Sequence, residues 1–380
     1  MPRAIVDITP EGQRPDEDPS LAVRNNGGAE PSSAPAPAGR REALLLLSFG
    51  GPECDDDVMP FLENVTRGRG IPRERLAEVA EHYHHFGGVS PINDQNKALL
   101  AALEDGLRTA GIDLPVYWGN RNWAPYVEDV WQQMADDGIE HAYVLATSAY
   151  ASFSGCRQYH EDVARARAAM SGDAGAAGGP TAEKLPHYFD AEGFVQANAD
   201  ALAAALAGLP DELRDGARLV ATAHSIPDSM AAVAGPDGHA YEAELQAAAR
   251  QVVDRVAPGR AVDLVWQSRS GPPSVPWLEP DVNDHLKALA EAGEQAVLLF
   301  PVGFVSDHLE VIWDLDNEAK ETAEELGLAF ARAATAGTHP AFVGSLVELL
   351  AERRAGGAPR LGTNCPASCC FVPPRPRPTS

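Results

Sequence analysis

His224 stands directly after the apolar run RLVATA (218–223) and is followed by Ser225 and Pro227. An imidazole so placed is able to accept a proton or hold a metal near neutral pH; a satisfied structural histidine is the plainer alternative. A second concentration of chemistry lies in SDHLEVIWDLDNE (306–318), where Glu310, Asp314 and Glu318 recur every four residues. On an α-helix this spacing lines three carboxylates along one face. Like charges stacked this way repel, and no basic residue separates His308 from Lys320. The row is either a solvated face in an acidic chain or a ladder that passes protons or a hard cation. Histidine and carboxylate together suit divalent iron better than copper(I).

Two further sets of side chains stand out. Trp118, Trp123, Trp266, Trp277 and Trp313 fall at or near strand ends or within the carboxylate row. They could wall a flat hydrophobic ligand or simply fill core. Of the five cysteines, Cys365, Cys369 and Cys370 cluster in NCPASCC, Cys156 lies in FSGCRQY, and Cys54 stands apart. Four thiolates serve structural zinc and iron–sulfur clusters alike, and the spacing of the three tail cysteines matches no widely shared motif. A loose tail with redox-active thiols is the other reading. The chain has no dinucleotide-binding, P-loop or nucleophile-elbow motif in the required context.

The elements that must position these groups alternate. Apolar runs at 43–49, 114–119, 141–148, 218–223, 262–267 and 296–302 predict buried strands, and amphipathic runs such as NKALLAALEDGLRTAG and YEAELQAAARQVVDRV predict helices between them. Buried strands alternating with helices imply parallel sheets covered on both faces. Three strands precede the soft stretch SGDAGAAGGPTAEK (171–184) and three follow it, so two similar doubly wound halves are expected. Nearly every strand runs into an unusual turn: SFGGP, GNRNW, TSAYASFSG, AHSIP, QSRSGPP and PVGFVSDHLE. Ligands bind outside the carboxyl ends of such strands, so two sheets facing across a cleft would converge these turns on one site.

Composition sets the outer limits. Over 380 residues the chain is 44% hydrophobic and 22% charged, with a net charge of −25. That charge argues against nucleic acid and against docking on anionic lipid. No run approaches the ~20 apolar residues of a membrane helix, and the N-terminus lacks the apolar core of a signal peptide, so a cytoplasmic, reduced setting without integral membrane association is expected. In that setting the cysteines read poorly as disulfides. Residues 1–41 are polar and rich in Pro, Ala, Gly and Ser, which predicts a disordered extension.

Taken in order, LLSFGGP, HHFGGVSPIN (84–93), YWGNRNWAP, AHSIP, WQSRSGPPSVPWLEPDV and PVGFVSDHLEVIWDLD resemble the ferrochelatase family over about residues 42–355. The likeness is to actinobacterial members that handle coproporphyrin III. It implies an α/β fold of two Rossmann-like, chelatase-type domains with parallel sheets and an active-site cleft between them. Residues 42–182 with 333–355 would form domain I, 183–332 domain II, and 356–380 a cysteine-containing tail. The activity implied is insertion of Fe²⁺ into a porphyrin, with protoporphyrin IX as the alternative ring and a non-catalytic haem or metal carrier as the alternative of another class.

By the same resemblance, His224 and Glu310 are the metal-binding, proton-accepting pair, and Asp314 and Glu318 continue the row toward the surface as a relay. Ser90 and Tyr159 would contact the porphyrin, with Arg67 and Tyr83 nearby. Cys156, Cys365, Cys369 and Cys370 would ligate a [2Fe–2S] cluster, leaving Cys54 spare, and a haem-pathway enzyme is a possible protein partner. One departure stands out: some family members carry a tyrosine in the first turn that ligates product iron, and the residue here is Phe49.

Overall fold

The computed structural model describes residues 39–67, 71–170, 178–270, 274–358, 360–363, 365 and 369–371. Residues 1–38 of the expected extension, residues 171–177 of the soft stretch, residues 271–273 of the QSRSGPP turn and most of the tail lie outside them.

The first half runs β1 (Glu42–Ser48), α1 (Asp55–Val65), α2 (Arg73–His85), α3 (Ile92–Thr109), β2 (Val116–Asn120), α4 (Val127–Asp136), β3 (His141–Ala146), a π-helical turn Phe153–Arg157, α5 (Gln158–Ala169) and β4 (Thr181–Lys184). The second half follows with α6 (Glu192–Gly208), α7 (Asp211–Arg214), β5 (Arg218–His224), α8 (Asp228–Ala231), α9 (Ala240–Val256), β6 (Val262–Gln267), α10 (Val282–Glu291) and β7 (Ala296–Phe300). It continues through α11 (Leu309–Val311), a π-helix Ile312–Ala319, α12 (Lys320–Glu325) and β8 (Ala329–Arg332), and the chain then forms α13 (Pro340–Arg354).

Two four-stranded parallel sheets result, ordered β2-β1-β3-β4 and β6-β5-β7-β8. The six expected strands are present. The sequence reading missed β4 and β8, which are four-residue edge strands without a long apolar run. β4 lies in the stretch read as a linker, so the first sheet extends past the boundary expected at residue 182.

β1 places Leu44 to Leu47 wholly inside because helices cover both faces of its sheet. Each such leucine contributes about 1.5–3 kcal/mol of burial. Leu99, Leu103 and Leu107 turn one stripe of α3 inward. That stripe belongs to a core continuous between the two sheets, which includes Phe194, Leu219, Leu298, Phe342 and Leu346. α13 packs on α3 and α6, and Gly106 lets it come close: a Cβ there would lie 3.1 Å from the Val347 side chain.

The strand-end turns are tied to one another. Arg121 N–H donates to the Ser48 carbonyl at 2.9 Å, and Ser225 N–H donates to the Gln267 carbonyl at 2.8 Å. Tyr150 Oη donates to the Val302 carbonyl at 2.7 Å, joining the turn after β3 to the turn after β7. Leu309 buries itself among Val58, Phe61, Leu62 and Tyr83, beneath α1 and α2. The second half thus plugs a side chain into the first immediately before Glu310.

Candidate active site

His224 is the last residue of β5, a strand flanked by β6 and β7. The Tyr241 hydroxyl donates to its carbonyl at 2.9 Å, fixing the backbone. Its Nδ1 meets the Ser225 carbonyl, so that nitrogen carries the proton and Nε2 keeps its lone pair. Among the described residues Nε2 has no hydrogen-bond partner, and it lies 3.7 Å from Glu310 Oε2. Burial pushes the His224 pKa down to about 4, outweighing the upward pull of the Ser225 carbonyl. At neutral pH the ring is therefore a neutral acceptor with its free nitrogen turned toward a carboxyl group.

Glu310 sits in α11 and is 24% exposed at its side chain. Burial raises its pKa from 4.5 to about 7. Asp314 is buried more completely, and that burial holds its carboxyl well above the carboxylate range. The charges of Glu310, Glu318 and Asp281 push the same way, and the Ser268 hydroxyl bonded to Asp314 pushes back. Gln267 Nε2 also donates to Asp314 at 3.2 Å. Glu318 accepts from Trp313 Nε1 at 3.1 Å. The three carboxyls thus share a segment but differ in what surrounds them.

That segment differs from the expected α-helix. Ile312–Ala319 is a π-helix, with hydrogen bonds spanning one residue more per turn than in an α-helix. Residues four apart overshoot one turn by about 40° on an α-helix, and the wider π turn reduces that offset, so the carboxyls stay on one side of the axis. The amphipathic pattern in the sequence does not separate the two helix types.

The opposite wall comes from the first half. Tyr83, on α2, is buried with its ring 5.9 Å from Phe61. Burial raises the pKa of its hydroxyl, and the negative field of Glu310 adds to the rise. Trp313 stacks on His82 at 4.0 Å and 10°, with His85 and Phe86 edge-on. Ser90 is buried against the first turn: its N–H donates to the Pro52 carbonyl at 2.9 Å, and a Cβ on Gly51 would lie 2.7 Å from its own Cβ. Phe49 packs edge-on to Phe61. Tyr159 packs in the buried cluster outside the first sheet, with the Arg121 guanidinium 4.6 Å over its ring. Arg67 is exposed just past α1, where its charge bears on Tyr126.

The structure thus brings His224, Glu310, Asp314 and Tyr83 together and places Ser90 on the neighbouring turn. It adds His308, which the sequence reading passed over. Burial and the neighbouring His224 lower its pKa to about 3, and its ring lies 5.1 Å from that of Phe304. Its position two residues before Glu310 was the available signal.

The cysteines gather elsewhere. Cys369 Sγ is 3.8 Å from Cys370 Sγ, Gly235 N–H points at Cys370 Sγ at 3.1 Å, and Gly362 N–H at Cys365 Sγ at 3.3 Å. Burial and the adjacent Cys370 and Cys365 raise the Cys369 thiol, and burial raises Cys370 to about 11 with Cys156 adding to it. Burial also opposes ionisation of Cys156, yet Lys184, His160 and His187 hold it well below the usual thiol range. Cys54 is exposed and apart, and among the described residues no disulfide joins the cysteines. Among the described residues no three His, Cys, Asp or Glu side chains are drawn into a ready metal-holding group, and no helix is long and apolar enough to cross a membrane.

Residues 41–354 match the family described as Ferrochelatase. The chain belongs to the ferrochelatase family. Similar relatives include the coproporphyrin III ferrochelatase of Nocardia farcinica, 57% identical over 88% of this chain and 98% of that protein. The protein of the same name from Mycolicibacterium smegmatis is 59% identical over 84% of this chain and 92% of its own length. Among solved structures, SirB from Bacillus subtilis with Fe³⁺ superposes with a TM-score of 0.50 at 12% identity, over 82% of this chain and 95% of SirB. At that identity the likeness is one of fold. As a ferrochelatase the protein is a metal chelatase, and iron and a porphyrin are its substrates.

Proposed function

We propose that this ferrochelatase inserts Fe²⁺ into coproporphyrin III, giving Fe-coproporphyrin III within haem biosynthesis in the cytoplasm, with His224 and Glu310 as the reacting pair. The observation that carries the site assignment is the unbonded His224 Nε2 lying 3.7 Å from Glu310. The ring assignment rests on the named relatives. Residues 42–184 with 333–355 act as one chelatase unit and 185–332 as the other, with the cleft between them.

Insertion must remove two pyrrole N–H protons and place Fe²⁺ in a rigid ring. Neutral His224 takes a proton or holds iron at Nε2, and Glu310, ionising near pH 7, takes the other role beside it. Asp314 and Glu318 pass protons or metal between this pair and the outer end of the π-helix. Ser90 contacts the macrocycle, with Tyr83 and Arg67 nearby, and Tyr159 acts from beneath the Arg121 guanidinium. A cleft that holds the ring bent exposes its nitrogen lone pairs and so favours the transition state.

Anaerobic turnover with Fe²⁺, offering coproporphyrin III and protoporphyrin IX in parallel, tests the reading through porphyrin absorbance. Preferential loss of the coproporphyrin signal is expected. Preference for protoporphyrin would reassign the ring, and no insertion into either would leave a haem or metal carrier.

A [2Fe–2S] cluster on Cys156, Cys365, Cys369 and Cys370 belongs to the same proposal. The donors fit: Cys156 favours the thiolate, two backbone N–H groups face sulfur, and burial together with mutual repulsion opposes ionisation of Cys369, a cost that cationic iron removes. When bound, the cluster would cross-link the tail to the body, since iron enters and leaves as Fe²⁺ and the reaction requires no electron. Cys369→Ser and Cys370→Ser are expected to lose the iron and acid-labile sulfide of the anaerobically purified parent. Equal contents in parent and variants would refute this ligand set.

A further inference from the structure

Both backbone hydrogen-bonding groups of one residue beside the reacting pair are held by a side chain from the opposite half of the molecule. Gln95 Nε2 donates to the Asp307 carbonyl at 2.8 Å, and Asp307 N–H donates to Gln95 Oε1 at 2.8 Å. Gln95 lies in the first turn of α3, five residues after Ser90. Asp307 precedes His308 and stands three residues before Glu310. A primary amide bonded to both the N–H and the C=O of one residue fixes where that residue lies and how the two peptide planes flanking its Cα are turned.

The Asp307 carboxylate is held separately. Arg332, at the end of β8, donates to it at 2.9 Å and forks onto Asp316 within the π-helix. Asp307 is therefore fixed through its backbone by the first half and through its side chain by the second. A cavity of about 240 Å³ lies alongside, lined by Gln95, Asn96, Thr147, Asp307 and Thr335 among others. Packing thus leaves open space beside the clamp.

The geometry points to Gln95 as a positioning residue for iron insertion: it couples the Ser90-bearing wall to the segment carrying His308 and Glu310. This rests on the proposed reading of the His224–Glu310 centre. Gln95 touches neither metal nor ring; it sets the offset between the surface that holds the macrocycle and the groups that take its protons. Misplacement by about 1 Å can cost on the order of a hundredfold in rate.

Gln95→Met keeps the length and loses both bonds. It is expected to lower kcat by roughly ten- to a hundredfold with porphyrin KM within about threefold of the parent, the signature of an interaction used in the transition state. Gln95→Glu supplies a readout that a merely structural role would not move. As a neutral acid it reproduces both bonds; ionised, it loses the donor and faces the Asp307 carbonyl. The charged groups around it are Asp307 with Arg332 and Asp316 from the second half, His308 in the next position, and Asp94 and Lys97 on its own helix.

The kcat of Gln95→Glu divided by that of the parent, measured at each pH, is expected to rise toward one as pH falls. The division cancels titration of Glu310 and His224. A Gln95→Met kcat within about twofold of the parent, or a Gln95→Glu ratio that does not vary with pH, would overturn the inference; if Gln95→Met fails to fold, the pH ratio decides. His224→Ala separates the two claims. If it retains turnover, the reading of the site fails. If it is inactive while Gln95→Met matches the parent, only the present inference fails.

Discussion

His224→Ala is expected to abolish iron insertion, lowering kcat by about a hundred- to ten-thousandfold, the span usual for a lost general base. The fold should survive. The Tyr241 hydroxyl holds the position-224 backbone through its carbonyl, which alanine keeps, and Nε2 makes no bond to lose. Circular dichroism and porphyrin binding should therefore match the parent while turnover vanishes. Near-normal turnover in a folded His224→Ala protein would remove His224 from the mechanism.

Glu310→Gln is expected to lower kcat about a hundredfold with little change in porphyrin affinity, since an amide keeps the shape and cannot accept a proton. The parent's kcat/KM for iron should rise with pH up to about 7 as Glu310 ionises, and the variant should lack that limb. Stability should move the other way. A carboxyl whose folded pKa lies above its unfolded value is held protonated by the fold, so it costs nothing well below pH 4.5. The cost grows as pH rises and is complete above about pH 7. The shift corresponds to about 3 kcal/mol at most. Glu310→Gln should accordingly melt higher than the parent at pH 8, with the difference vanishing near pH 4. A loss confined to porphyrin affinity would contradict the role given to Glu310.

The alternation of apolar runs and amphipathic stretches made six of the strands legible, because burial on both faces leaves a run such as ALLLLSF with no other use. TAEK and AFAR escaped because a four-residue strand held by backbone bonds carries no long apolar run. The row Glu310, Asp314 and Glu318 was legible as a set of residues but not as a π-helix, since hydrogen-bond span is not written in hydrophobic spacing. His308 and Gln95 went unread for another reason. One acquires its character from burial beside His224, and the other from meeting Asp307 across more than two hundred residues of chain.

The two sheets share one strand order, although the sequence carries no recognisable repeat. In the proposed mechanism the two copies of that scaffold have different duties: the first holds the macrocycle, and the second carries His224, Glu310 and the carboxyl row. Such a division separates two kinds of heritable change. Substitutions in the turns of the first copy could drift toward another ring without disturbing the metal chemistry, and the second could be retuned for another divalent ion while the ring's berth is conserved. A scaffold of this kind can diversify its substrates one at a time.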